Sequence, residues 1–217
     1  MHYTAGPTLD GAVSWLTNLE AQASAHLVID RDGSIVQMVA FNRRAWHAGK
    51  SEWGNLNGMN RYSFGIELVN AGKLSKNAKG QWLTWSKKVI PSEDVTVAKH
   101  KEESSETGWH EYTEAQIQAA SMVGLLLHKT YSFTDVLGYD DVSPGRKVDP
   151  GPVFPMNSFR SILLRFSRLK KIVLNLIRLD SADKTKTSLR LKRKCAAWKD
   201  DVRMRILGFT SLGFTSQ

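Results

Sequence analysis

The stretch Gly138-Tyr139-Asp140-Asp141-Val142-Ser143-Pro144-Gly145-Arg146-Lys147-Val148-Asp149-Pro150-Gly151-Pro152 decides how the rest of this chain is read. It holds three prolines, three glycines and an adjacent Arg-Lys pair, directly after an apolar Val136-Leu137. A packed core has no use for such a run, because each proline removes a backbone donor and each glycine gives up packing. A rigid loop that must aim a cation and a carboxylate at one point does have a use for it. Working outward, Val136-Leu137-Gly138 reads as a short strand feeding the loop. Upstream, Thr113-Glu114-Ala115-Gln116 is a capping box that opens a helix with Ile117, Ala120, Val123 and Leu127 on one face.

Further upstream, His26 to Asp30 and Ser34 to Phe41 read as strands of a hairpin turning at Arg31-Asp32-Gly33. Asp10 to Ala25 reads as an amphipathic helix capped by Asp10, with Val13, Leu16 and Leu19 at helical spacing. Residues 42–61, rich in Gly and Asn and carrying Trp46, His47 and Trp53, suit a surface loop lining a groove. Ser63 to Asn70 reads as a buried strand, and Lys73 to Trp109 as an irregular polar insertion. Strands interleaved with helices predict an α/β domain, a mixed central sheet flanked by helices.

Four upstream segments join the opening loop in a fixed order: His2-Tyr3-Thr4-Ala5-Gly6, Ser24-Ala25-His26-Leu27-Val28-Ile29-Asp30-Arg31-Asp32-Gly33, Trp46-His47-Ala48-Gly49 and Ser63-Phe64-Gly65-Ile66-Glu67-Leu68-Val69-Asn70. Over roughly residues 2–157 this set resembles the zinc-dependent N-acetylmuramoyl-L-alanine amidases, whose fold is shared with the peptidoglycan recognition proteins. Ordered matches are more specific than any one motif. In that family the last motif reads Gly-His-x-Asp-x-x-Pro-Gly-Arg-Lys-x-Asp-Pro-Gly-Pro, so Tyr139 stands at a histidine position. The family also carries a strand before its first ligand histidine, where only Met1 stands here.

The resemblance implies hydrolysis of the amide bond between N-acetylmuramic acid and L-alanine, with zinc as cofactor and peptidoglycan or muropeptides as partners. It maps two metal ligands onto His2 and Asp149 and the third onto Tyr139. A hydrolytic zinc site uses three protein ligands and an open position for water. A phenol titrates near 10 and must lose a proton to ligate, and zinc prefers nitrogen and sulfur donors. Tyr139 is therefore expected to fill a lost ligand position. On the residues alone, His2 also reads as an ordinary terminal residue and Asp149 as a turn former.

By the same resemblance Glu67 positions and deprotonates the attacking water, and Lys147 stabilises the oxyanion. Glu67 supports this independently, since a carboxylate in an apolar strand is costly unless used or paired. Arg146 braces the loop or meets a substrate carboxylate. His26, Trp46 and His47 are the candidates for contacts with substrate, with a core histidine an equal reading of His26 and a packing ring of Trp46. His100, His110 and His128 match no motif and read as surface or helix residues. An alternative function is a catalytically inactive peptidoglycan-binding protein of the same fold.

The charge of the chain is uneven. Of 217 residues, 1–157 carry 15 Lys and Arg against 17 Asp and Glu, whereas 158–217 carry 15 against 4. Length and charge thus predict an amidase-like domain over 1–157 and a basic tail over 158–217. Phe159, Ile162, Leu163 and Phe166 begin an apolar stripe interrupted by basic residues, as in a helix that lies on an anionic membrane or acidic wall polymer. Residues 180–217 are expected to be disordered, and a protein acting through this tail is a third reading. No motif supports specific nucleic-acid recognition. Cys195 is the single cysteine, so no internal disulfide forms. Met-His-Tyr opens the chain without a basic region and apolar run, and Ile172 to Leu179 is too short to span a bilayer. Compartment stays open.

Overall fold

The alternation of Ile66, Glu67 and Leu68 sets the architecture. In the computed structural model of the chain, which describes residues 1–164, the elements are β1 (His2–Tyr3), α1 (Leu9–Thr17), β2 (Leu27–Ile29), β3 (Ile35–Gln37), β4 (Glu52–Trp53), β5 (Leu56–Asn57), β6 (Ile66–Leu68), β7 (Lys73–Lys76), β8 (Trp82–Leu83), β9 (Val89–Ile90), β10 (Val95–Lys99), β11 (Glu106–His110), α2 (Glu114–Tyr131) and α3 (Tyr139–Val142). Residues 156–164 are also helical.

The central sheet has the order β1-β6-β2-β3. β6 lies parallel to β1 and β2, and β3 returns antiparallel beside β2. This is the expected mixed sheet. Side chains alternate across it with a period of two. Leu27, Ile29, Ile66 and Leu68 join Ala119, Ala120 and Leu127 of α2, together with Phe154, Phe159 and Leu163, in the main core. Val28 packs on the other side with Val69 and Ala12 of α1. Glu67 is in register with His2 on one side and Val28 on the other, so it shares their face rather than that of Ile66 and Leu68.

The predicted capping box forms: the Thr113 hydroxyl accepts the Gln116 N–H at 3.2 Å, and the Gln116 side chain accepts the Thr113 N–H at 3.2 Å. The predicted hairpin around Arg31-Asp32-Gly33 forms as well. α1 differs from expectation. Its cap is Thr8, whose hydroxyl accepts the Gly11 N–H at 3.3 Å, and Asp10 sits instead in the first turn, where it favours the helix dipole. The helix ends at Thr17, and a short 3₁₀ turn, Leu19–Ala21, follows.

Three further expectations are corrected. Residues 73–109 are not irregular but carry a five-stranded sheet of order β10-β11-β7-β8-β9. Its strands are only two to five residues long, too short for the period-two signal to stand out, although they bury Leu74, Ile90 and Trp109. Val136-Leu137-Gly138 is not a strand. It meets Met1, whose ammonium donates to the Leu137 carbonyl at 2.7 Å and whose carbonyl accepts the Tyr139 N–H at 3.2 Å, and runs directly into α3. His100 and His110 are neither surface nor helix residues but buried ones beside the α/β core, each with a polar partner, whereas His128 does lie in α2, on its buried side.

The packed chain continues past Asn157, since Phe159 and Leu163 belong to the main core. The rest of the expected tail, including its basic helix, its disorder and Cys195, lies outside the described residues. Among the described residues no helix is long and apolar enough to cross a membrane.

His110 gives the fold a pH dependence. Burial pushes its imidazole down from the ordinary value to about 4, and its Nδ1 accepts the Ala71 N–H at 3.0 Å. The unfolded chain binds that proton near pH 6.5 and the fold does not, so stability is present above 6.5 and lost as pH falls towards 4. The loss amounts to roughly 3 kcal/mol at about 1.4 per unit. The thermal midpoint is expected to fall across this window, and His110→Gln to flatten the fall. Identical slopes for both proteins would show that His110 plays no part.

Candidate active site

The proline-rich loop is held by bonds that aim it. Gly138 N–H donates to the Asp141 carboxylate at 2.8 Å, and Arg160 pairs with the same carboxylate at 3.0 Å. Asp140 lies 3.1 Å from both His100 Nε2 and Lys101 Nζ, while its backbone N–H holds the Asp149 carbonyl at 2.9 Å. Tyr112 donates its hydroxyl to the Pro150 carbonyl at 2.8 Å. The loop is thus anchored on both sides before any ligand arrives. His100 was missed from sequence, where nothing marks it as the partner of a carboxylate 40 residues away.

His2 and Asp149 meet, as expected: His2 Nδ1 lies 3.1 Å from Asp149 Oδ2, and both side chains are buried. On its other edge His2 Nε2 lies 3.1 Å from His47 Nδ1. The protons can be placed. His47 Nε2 faces the Ser63 carbonyl at 3.3 Å, which can only accept, so His47 carries its proton there. Burial, helped by His2 and the terminal ammonium, pushes His47 down to about 2, which keeps it neutral. His47 Nδ1 therefore accepts, and His2 Nε2 donates. What remains is His2 Nδ1 against a carboxylate oxygen. Two bare lone pairs do not approach to 3.1 Å, so a proton or a cation belongs between them.

Tyr139 stands beside this pair, its ring centroid 4.5 Å from that of His2. Arg146 donates to its hydroxyl at 3.1 Å, and the Arg146 and Lys147 cations lie 5.2 and 5.1 Å from its ring centre. Arg146 also donates to the Ser143 hydroxyl at 2.8 Å and the Lys50 carbonyl at 2.7 Å. It braces the loop, one of the two roles expected of it. Glu67 is partly buried, yet its Oε2 is shut off from water and has no hydrogen-bond partner. Burial pushes its carboxyl up, and the first opposing influence is His2.

His2, Glu67, His47, Tyr139, Arg146, Lys147 and Asp149 all line one cavity of about 880 Å³, within the range of a small-ligand site. Trp46 lines it too, 58% exposed. His26 does not join them. It is buried, with Nε2 against the Arg43 carbonyl at 3.1 Å and Nδ1 accepting the Gly65 N–H at 3.1 Å. Both nitrogens are thus spent on backbone, so His26 is a core histidine.

Gly65 makes the close approach to His47 possible: a methyl added there would fall 2.3 Å from the imidazole ring. Gly65→Ala is therefore expected to destabilise the fold by about 1–3 kcal/mol, as overpacking does. Chemical denaturation checks this, and an unchanged midpoint would show that His47 moves aside freely.

A sequence profile described as N-acetylmuramoyl-L-alanine amidase matches residues 1–152. The chain belongs to this amidase family. Among its relatives, the 1,6-anhydro-N-acetylmuramyl-L-alanine amidase AmpD of Escherichia coli K12 is 32% identical over 144 residues, covering 65% of this chain and 59% of AmpD. The N-acetylmuramoyl-L-alanine amidase AmiD of the same organism is 30% identical over 164 residues, covering 71% of this chain and 49% of AmiD. The chain thus spans less than two thirds of either relative. The solved complex of E. coli AmiD with anhydro-N-acetylmuramic acid-L-Ala-D-gamma-Glu-L-Lys superimposes with a TM-score of 0.55 at 29% identity, covering 73% of this chain and 53% of that one. AmpDh3 of Pseudomonas aeruginosa, in complex with an anhydromuramic pentapeptide, gives 0.53 at 28% identity, covering 73% and 56%.

These amidases are zinc enzymes as a family, and the donor set here can be compared with that need. Two donors on one tetrahedral zinc ion stand roughly 3.3 Å apart. The 3.1 Å between His2 Nδ1 and Asp149 Oδ2 is close to that spacing. The third position does not fit: it holds the Tyr139 hydroxyl, engaged by Arg146. Among the described residues no three His, Cys, Asp or Glu side chains converge as a ligand set. His2 and Asp149 would supply two donors to such an ion, and a third is missing among the described residues.

Proposed function

We propose that this chain binds a muropeptide in the 880 Å³ groove and hydrolyses the amide bond between N-acetylmuramic acid and L-alanine. The observation that carries the reading is Glu67, which lines the groove with one carboxylate oxygen cut off from water and unpartnered and its pKa raised by burial, beside His2 and Asp149. A group kept in that state suits general-base work near neutral pH. Glu67 takes a proton from the attacking water as its oxygen adds to the amide carbon. Lys147 stands by the negative charge that develops on the carbonyl oxygen. The C–N bond then breaks and the departing amine receives the proton from Glu67. Trp46 and Arg146 flank the bound substrate. Zinc, when bound in this family, makes water a stronger nucleophile. With one ligand short, no step here runs through it.

The test is direct. The purified chain is incubated with anhydro-N-acetylmuramic acid-L-Ala-D-γ-Glu-L-Lys over a range of zinc concentrations, and the freed tripeptide is followed by mass spectrometry. No release at any zinc concentration would sink hydrolysis. A second reading, recognition of muropeptides without turnover, is favoured by Tyr139 at the third ligand position. Calorimetric binding of the same compound without release would select it.

A further inference from the structure

None of residues 95–110 lines the groove, yet the hairpin of β10 and β11 holds the proline-rich loop at three separate positions. His100 and Lys101, in the turn of the hairpin, hold the Asp140 carboxylate, each at 3.1 Å. Glu102, next in the turn, accepts the Gly145 N–H at 2.7 Å. Trp109, fully buried on β11, lies against Gly151, where an added methyl would fall 2.7 Å from the indole ring. Positions 140, 145 and 151 bracket Arg146, Lys147 and Asp149, the part of the loop that faces the groove.

The chain of contacts runs in one direction. His100 Nδ1 accepts the Glu102 N–H at 3.2 Å, so the ring proton sits on Nε2 and is donated to Asp140. The His100 ring stacks on Trp109 with centroids 5.9 Å apart, which fixes its plane. Asp140 in turn donates its backbone N–H to the Asp149 carbonyl at 2.9 Å. At its other end the hairpin is tied to the segment that follows β6, the strand of Glu67. There Asn70 donates its side-chain N–H groups to the His110 and Glu111 carbonyls, both at 3.0 Å, and the Ala71 N–H meets His110 Nδ1 at 3.0 Å. Glu67 and Asp149 are therefore connected through β11 and the turn that precedes it.

We propose that the β10–β11 hairpin is the positioning frame of the reacting groups and that His100 is its positioning residue, acting through Asp140 to set where Asp149 stands against His2. Lys101 shares Asp140, but its side chain is 48% exposed and water screens the pair. His100 is 1% exposed, so its bond to Asp140 is not weakened in that way. A loop displaced by a fraction of its length still binds substrate but presents its groups off line, which costs rate more than affinity. The inference rests on the amidase reading only for its effect on turnover, since the contact of Asp149 with His2 is present without it.

The His2 ring reports the place of Asp149 through its nitrogen NMR signals, assigned by their loss in His2→Gln. His100→Phe keeps a ring against Trp109 but donates nothing to Asp140, and it is expected to shift those signals. His100→Gln restores an N–H donor near the same place and should return them towards the values of the unsubstituted chain. In whichever background turns over, the natural chain or Tyr139→His, His100→Phe should lower kcat by about 10–100-fold with KM little changed, the loss typical of a group that orients a functional side chain. His100→Gln should recover most of it. His2 signals unmoved by His100→Phe overturn the proposal. So does a Gln variant as impaired as the Phe variant, which would reduce His100 to packing. Glu102→Ala, at an exposed turn position where substitution costs the fold little, should shift the Lys147 amide signal. If His100→Phe does not fold, this variant carries the test, and a stationary Lys147 signal overturns the frame. Shifted His2 signals in a chain that never turns over leave the frame standing and sink the amidase reading; turnover with unmoved His2 signals does the reverse.

Discussion

Tyr139→His is expected to raise zinc affinity by roughly 10–100-fold or more and to raise muropeptide cleavage with it. Even loss of a group that only orients a ligand costs about that factor, and this substitution supplies a ligand outright. The site is otherwise prepared. His2 Nδ1 and Asp149 Oδ2 already stand 3.1 Å apart, and the loop that presents position 139 is held through Asp140, Asp141 and the Tyr139 N–H itself, none of which depends on the phenol. Arg146 loses one partner but keeps the Ser143 hydroxyl and the Lys50 carbonyl. A neutral imidazole binds zinc without first losing a proton, which a phenol must do. The comparison requires both proteins in the same zinc buffers, with affinity read by competition against a chromophoric chelator and turnover by mass spectrometry. Stoichiometric zinc and full turnover in the unsubstituted chain would show that the phenol, or His47, already serves as the third ligand.

Glu67→Gln is expected to lower turnover by about 10²–10⁴-fold, the range lost with a general base. The measurement belongs in whichever background turns over, the natural chain or Tyr139→His. Gln keeps the shape of the side chain and its place on β6 but takes no proton. Stability should not fall with activity. A carboxylate oxygen cut off from water without a partner already costs the fold, so a neutral amide there leaves the thermal midpoint level or higher. A lost midpoint would mean that Glu67 holds the sheet together, and retained turnover would remove it from the chemistry.

Much of this protein was legible because it is local. Ile66, Glu67 and Leu68 alternate within one short strand, and that period of two already separates a core face from the face bearing the carboxylate. The capping box at Thr113 acts over three residues and starts α2 where expected. The loop from Gly138 to Pro152 states its own rigidity through its prolines and glycines, and it carries Lys147 and Asp149 within a few residues of each other.

Other features exist only once distant segments meet. The contact of His2 with Asp149 spans 147 positions and that of His2 with His47 spans 45, so the arrangement of protons around His2 could not be read along the chain. His26 and His47 look alike in sequence. Packing gave His26 two backbone partners and placed His47 in the groove. The strands between Lys73 and His110 are too short to carry a clear period, and pairing with one another makes them a sheet. The sequence by itself therefore determined which chemical groups are available and which face of the sheet bears them. Only the tertiary structure decided which of those groups touch one another or share a cavity, because burial and partner distance are properties of contacts far apart in the chain.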